Sequence, residues 1–263
     1  MNIKYTLGLI LTLPLLPLIY FQGKKVKATV PRIPEAQGIK GISSVSSEKS
    51  LQMLTIGDST MASVGIKTHQ EGFTGALANE LAAKLKTNIN WKVYAKNGYN
   101  AKEVKEKIIN LITEKSIDFI VIGIGGNDAF ELNTPKRWNK DVRGLIKTVK
   151  LRFIDVPIIF VNMPALKELP AFTSLLRFTI GNLVSILGKE LEKIVKDFEN
   201  VYYYTKNVDS EELLKRYKLK VNPDDFFSDG IHPSKTTYKI WAKDFSDFIT
   251  QTKEVKNALQ HLI

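Results

Sequence analysis

The sequence predicts one three-layer α/β domain, with a five-stranded parallel sheet covered by helices on both faces. Three observations predict it. From Leu51 onward, short apolar runs alternate with stretches of helical period. The run IDFIVIGIG at 117–125 is apolar on both sides, as a central parallel strand must be. The 263 residues are 44% apolar and 25% charged, which suits one sizeable core and excludes collagen, coiled coil, low-complexity and multi-span membrane classes.

Ahead of that domain lie two segments of different character. Residues 1–23 contain one charge, Lys4, and the stretch from Tyr5 to Gly23 is uncharged and rich in leucine and isoleucine. As a helix it would be about 28 Å long, close to the hydrocarbon thickness of a bilayer. The expectation is an N-terminal signal anchor, or a signal peptide if it is cleaved, although the cleavage pattern around Val26-Lys27-Ala28 is poor. In a bacterium this implies export, with a periplasmic catalytic domain anchored in the inner membrane, or secretion after cleavage. Residues 24–50 carry two prolines, two glycines and five serines with no regular period, and are expected to form a flexible tether reaching about 30 Å. The domain proper is expected over 51–263.

Within it, LQMLTIG at 51–57 is the first strand, followed by a helix over 72–86 with Phe73, Leu77, Leu81 and Leu85 on one face. NWKVYA at 90–95 is the second strand, and 101–115 a helix showing Val104, Ile108, Leu111 and Ile112. The third strand at 117–125 precedes a helix over 135–150, and VPIIFVNM at 156–163 is the fourth strand. A long helix follows near 173–198, then a short strand near 201–205. The last helix begins at Ser234, a cap after Pro233, and buries Tyr238, Trp241, Ala242, Phe245, Phe248 and Ile249.

The net charge of +11 comes from 38 basic and 27 acidic residues. The lysines alternate with glutamates along amphipathic helices, as in Lys102, Glu103, Lys105, Glu106 and Lys107, and no nucleic-acid motif accompanies them. No nucleic-acid partner is expected, and with no coiled-coil or paired-edge signal the expectation is a monomer. Cysteine is absent, which removes disulfides, thiolate metal sites and cysteine nucleophiles. Histidine occurs at three positions only, His69, His232 and His261.

Ligands of parallel sheets bind beyond the carboxyl ends of the strands, so the residues there deserve separate reading. They are Gly57-Asp58-Ser59-Thr60, Asn97-Gly98, Gly125-Gly126-Asn127-Asp128 and, nearer the C-terminus, Asp229-Gly230-Ile231-His232-Pro233. Singly these are a helix cap, two turns and a capped loop. Together they supply acyl-transfer chemistry. A serine hydroxyl is a poor nucleophile until a base takes its proton, and an imidazole serves best when a carboxylate holds its tautomer. Asp229 and His232, three residues apart, can meet in one turn while the other ring nitrogen faces Ser59. A developing oxyanion needs donors, and the backbone N–H groups of Gly98 and Ser59 with the Asn127 amide offer three.

These blocks resemble the SGNH hydrolases, also called GDSL esterases/lipases, in order over roughly 51–248. The resemblance implies a flavodoxin-like α/β/α fold and a serine esterase mechanism without metal or cofactor. Carried over by position, Ser59 is the nucleophile, His232 the base and acid, and Asp229 its orienting carboxylate. Ser59, Gly98 and Asn127 form the oxyanion hole. Thr60 stands where the family name has leucine, a position outside the chemistry. No Gly-x-Ser-x-Gly elbow surrounds Ser59, and His69 and His261 are expected at the surface.

The segment after the fourth strand is rich in large apolar residues, and Met163, Leu166 and Phe172, with Phe130, are candidate walls of an acyl pocket. The expected substrate is a carboxylic ester with a medium or long acyl chain, such as a lysophospholipid met at a membrane. The alternatives are an O-acetyl esterase of envelope glycans, an acyl thioesterase, or, from a different class, a membrane-tethered binding module without activity.

Overall fold

The computed structural model describes residues 3–206, 210–217 and 223–260. Strands β2 (Ser50–Gly57), β3 (Asn88–Ala95), β4 (Phe119–Gly123), β5 (Ile158–Phe160) and β6 (Val201–Tyr203) run parallel. These are the five expected strands. A sixth, β1 (Lys40–Ser43), pairs antiparallel with β3 at the edge, giving the order β1-β3-β2-β4-β5-β6. Part of the segment read as a tether is therefore structural. Gly41 allows it to close on the sheet, because a Cβ there would lie 2.3 Å from the Trp91 ring.

Alternation along the strands divides the core in two. Leu54, Ile56, Ile120, Ile122, Ile158 and Phe160 face one side, where they meet α6 (Pro135–Arg152) and α7 (Ser174–Val195). Met53, Phe119, Val121 and Ile159 face the other, against α3 (Phe73–Leu85), α9 (Lys235–Gln251) and α10 (Lys253–Gln260). Trp138 of α6 is fully buried and its indole N–H donates to the Leu187 carbonyl at 3.0 Å, tying α6 to α7. The two central strands also approach closely at their carboxyl ends. Gly57 is paired with Gly123, and a Cβ on Gly57 would lie 2.0 Å from the Gly123 oxygen.

The helix expected over 101–115 is shorter and irregular. Asn100 caps α4 (Ala101–Glu103) through a capping box with Glu103, after which the chain widens into a π-turn over Val104–Ile108 and tightens over Ile109–Leu111. The extra residue in the turn shifts the phase. Ile109 goes inside, and Leu111, expected on the buried face, is 60% exposed.

The N-terminal apolar run forms α1 (Ile3–Thr12), a 3-10 turn at Leu13–Leu15, and α2 (Leu16–Thr29), with Pro14 and Pro17 at the break. No helix among the described residues is long and apolar enough to cross a membrane. Ile19 of α2 is buried, and Gln22 is hydrogen-bonded by the Thr173 hydroxyl just ahead of α7. Ile10, Leu13, Leu18, Tyr20 and Phe21 remain exposed.

Candidate active site

The site is assembled where β2, β3 and β4 end. Beyond Gly57 the chain turns sharply. The Asp58 carboxylate accepts from the Thr60 backbone N–H at 3.0 Å and from its hydroxyl at 2.7 Å, and Ala62 N–H donates to the Asp58 carbonyl. This local knot leaves Ser59 partly open on the cleft. Asp58 itself is buried. Burial pushes its carboxyl above the ordinary range, against the Thr60 bonds and the nearby His232.

The loops after β3 and β4 are bolted together. The Asn127 side-chain amide donates to the Tyr99 carbonyl at 3.0 Å, and the Asp128 carboxylate accepts from the Ala101 N–H at 3.0 Å and from the Asn133 amide at 3.1 Å. Asn127 belongs to the short helix α5 (Gly126–Phe130). Burial raises the Asp128 carboxyl to about 7, with Asp58 and Glu131 adding to the rise. Gly98 sits one residue before Tyr99 in that turn, with φ +86° and nothing within 4 Å of the place a Cβ would occupy. The conformation, not crowding, calls for glycine there, and the turn is exposed. One N–H of the Asn127 amide is engaged by Tyr99; the second is available to a ligand.

The third part is the loop before α9. It is pinched by the bridge Phe227↔Pro233 and by Ser228 N–H on the His232 carbonyl at 2.8 Å. Within it, Asp229 accepts three bonds: from Ile231 N–H at 2.9 Å, from His232 N–H at 2.7 Å, and through its second oxygen from His232 Nδ1 at 2.8 Å. The Asp229 side chain is 1% exposed. Burial alone would raise this carboxyl, but the bonds from His232 and Ile231 outweigh it and hold it below the ordinary range. The ring is thereby held with Nδ1 on the carboxylate and Nε2 turned away from it.

A cleft joins these parts, and its walls include Ser59, Asn127, Phe130, Met163, Leu166 and His232. Phe172 is not on the wall. It is buried behind Phe130, edge to face, with ring centroids 5.5 Å apart. Leu169, in the apolar segment expected to line the pocket, also borders the cleft, as do Asn162 and Trp241, which sequence reasoning did not place there. Asn162 was hidden because 156–163 read as one strand, whereas β5 ends at Phe160.

The expectation for His69 is corrected. It is 3% exposed, and burial lowers its imidazole to about 4, partly opposed by Glu35. The chain comes back over it: Gln37 pairs with Thr68, and His69 N–H donates to the Gln37 carbonyl at 2.8 Å. His261 lies outside the described residues. Among the described residues no group of three or more histidine, aspartate or glutamate side chains is placed to hold a metal ion.

A strand-end serine, a carboxylate-held histidine and an asparagine on the next loop, on a parallel α/β sheet, define the SGNH-type ester hydrolases. The family model for the GDSL-like lipase/acylhydrolase family matches residues 55–240, and the chain belongs to that family. Solved structures share the fold at low identity. LAE5, an alpha/beta hydrolase enzyme from the metagenome of Lake Arreo, Spain, superposes with TM-score 0.57 at 16% identity, covering 78% of this chain and 96% of its own. The lipase/acylhydrolase from Enterococcus faecalis gives 0.52 at 16%, covering 77% and 96%. The family 3 carbohydrate esterase from Clostridium thermocellum gives 0.55 at 15%, covering 81% and 99%. No curated protein matches the chain.

Proposed function

We propose that the protein is a serine esterase that cleaves carboxylic esters with medium or long acyl chains, such as lysophospholipids, through an acyl-enzyme. The observation that carries this reading is the apolar cleft, walled by Met163, Leu166 and Leu169, that opens directly on Ser59 and on the His232–Asp229 pair. Ser59 Oγ attacks the ester carbonyl while His232 Nε2 takes its proton. Asp229 holds the imidazole and stabilises its charged form. The carbonyl oxygen, now negative, is received by the backbone N–H groups of Ser59 and Gly98 and by the second N–H of Asn127. His232 returns the proton to the departing alcohol, and water, activated by the same ring, releases the acid.

The reading includes a lipid surface. The exposed Leu13, Leu18, Tyr20 and Phe21, followed by Lys24, Lys25 and Lys27, give the N-terminal helices an apolar face with a basic border, and the Gln22–Thr173 bond puts them beside the loop that carries Leu169 and Phe172. We take the protein to be exported and held against the membrane by this segment.

The test is hydrolysis of nitrophenyl esters from acetate to palmitate by the full chain, with Ser59→Ala as control. Activity that depends on Ser59 and peaks at longer chains is expected. A Ser59-dependent peak at acetate would instead assign the protein to glycan deacetylation. Absence of Ser59-dependent turnover at every length would overturn the enzymatic reading.

A further inference from the structure

Asn162 lies two residues beyond β5, at the carboxyl edge of the sheet, and borders the cleft while only 2% exposed. Its Oδ1 accepts from the indole N–H of Trp241 at 2.6 Å. An indole nitrogen only donates, so this bond decides which end of the amide is oxygen and which is nitrogen. Nδ2 is left buried with no protein acceptor. A buried donor without an acceptor is costly to keep, and a ligand that supplies the acceptor recovers the cost.

The two threonine hydroxyls that border the cleft are already committed. Thr60 donates to Asp58, and Thr237 donates to the Phe226 carbonyl at 2.7 Å. The amide is therefore a buried, unpaired donor in the cleft wall, separate from the groups that handle the reacting carbonyl. Its place sets the distance. β4 lies between β2 and β5, so the strand that leads to Ser59 and the strand that leads to Asn162 are two spacings, about 10 Å, apart. An acceptor that reaches Nδ2 stands several bonds from the scissile carbonyl. Its neighbours set the charge. Met163, Leu166 and Trp241 are apolar surroundings, and Asp58 borders the same cleft, so an anion would be disfavoured.

We propose that Asn162 is a second recognition point, and that the substrates are esters carrying an uncharged oxygen, an ether, hydroxyl or carbonyl, along the acyl arm. This rests on the cleft being the acyl site of the reading above.

The experiment measures binding, so that it does not depend on turnover. Ethyl octanoate and its ether analogues, with oxygen replacing one chain methylene at a time, are titrated into full-length Ser59→Ala protein by calorimetry. The ether oxygen accepts but does not donate, and it costs apolar contact wherever no donor meets it. One position is expected to bind about tenfold more tightly than its neighbours in the series. Asn162→Leu should level that peak while leaving ethyl octanoate nearly unchanged. Asn162→Ala serves the same purpose if the leucine variant does not fold. A flat series, or a peak that survives loss of the amide, overturns the proposal. A purely structural Asn162 would weaken every member alike and leave their ratios intact. Hydrolysis of ethyl octanoate by the unmodified protein reports separately on the esterase reading: turnover with a flat series rejects only the recognition point, and a peak without turnover rejects only the esterase.

Discussion

Asp229 shows how much one residue can organise. Its three accepted bonds fix the loop backbone and the imidazole together, and they hold its carboxyl below the ordinary range. The sign follows directly: a depressed carboxyl contributes its stability above the unfolded value near 3.8 and loses it as pH falls through the folded value. Asp229→Asn is expected to reduce kcat about 10³- to 10⁴-fold with little change in KM, as measured on a nitrophenyl ester. His69 makes a different contribution. Its folded value of about 4 lies below the ordinary 6.5, so the folded state binds fewer protons, and stability present above pH 6.5 is lost as pH falls toward 4. A His69→Gln variant should show a flatter Tm profile over that window than the parent. Equal slopes would remove this account of the residue.

At the scale of elements, loops placed by strands do the work. The turn that carries Gly98 is held on its C-terminal side, by Asn127 on the Tyr99 carbonyl and by the capping box at Asn100, whose amide also reaches Glu131 at 2.8 Å. Asn100→Ala is expected to cost about 1–2 kcal/mol of stability by urea denaturation. In the proposed mechanism the same turn presents the Gly98 N–H to the substrate, so the variant should also lower kcat. Unchanged kcat would separate the cap from the oxyanion site. The helix that follows was only partly legible. Its first turn and cap follow from Asn100 and Glu103, but the π-turn is a tertiary accommodation, and it sends Leu111 to solvent against its period.

At the scale of the whole molecule, the sheet order brings loops far apart in the chain to one edge, and the N-terminal helices lie along α7 on the flank of the cleft. The exposed apolar face there predicts binding to vesicles containing anionic lipid. Flotation should recover the protein in the lipid fraction, and replacing Tyr20 and Phe21 together by aspartate should release it without changing hydrolysis of a water-soluble ester. Recovery of the double variant with the lipid would count against this face as the contact.

The sequence by itself determined the five parallel strands, most of the helices between them and the four blocks at the strand ends, because periodicity and strand-end position are local signals. It also brought Asp229 and His232 together, since three residues of spacing leave them little choice. Tertiary structure decided what depends on distant neighbours. The edge strand β1 forms only because β3 offers an open side and Trp91 has room for Gly41. His69 is buried because residues around Gln37 cover it, and Phe172 supports Phe130 rather than the substrate. Asn162 acquires its fixed orientation from Trp241, 79 positions away, and no local pattern records a hydrogen bond across that distance.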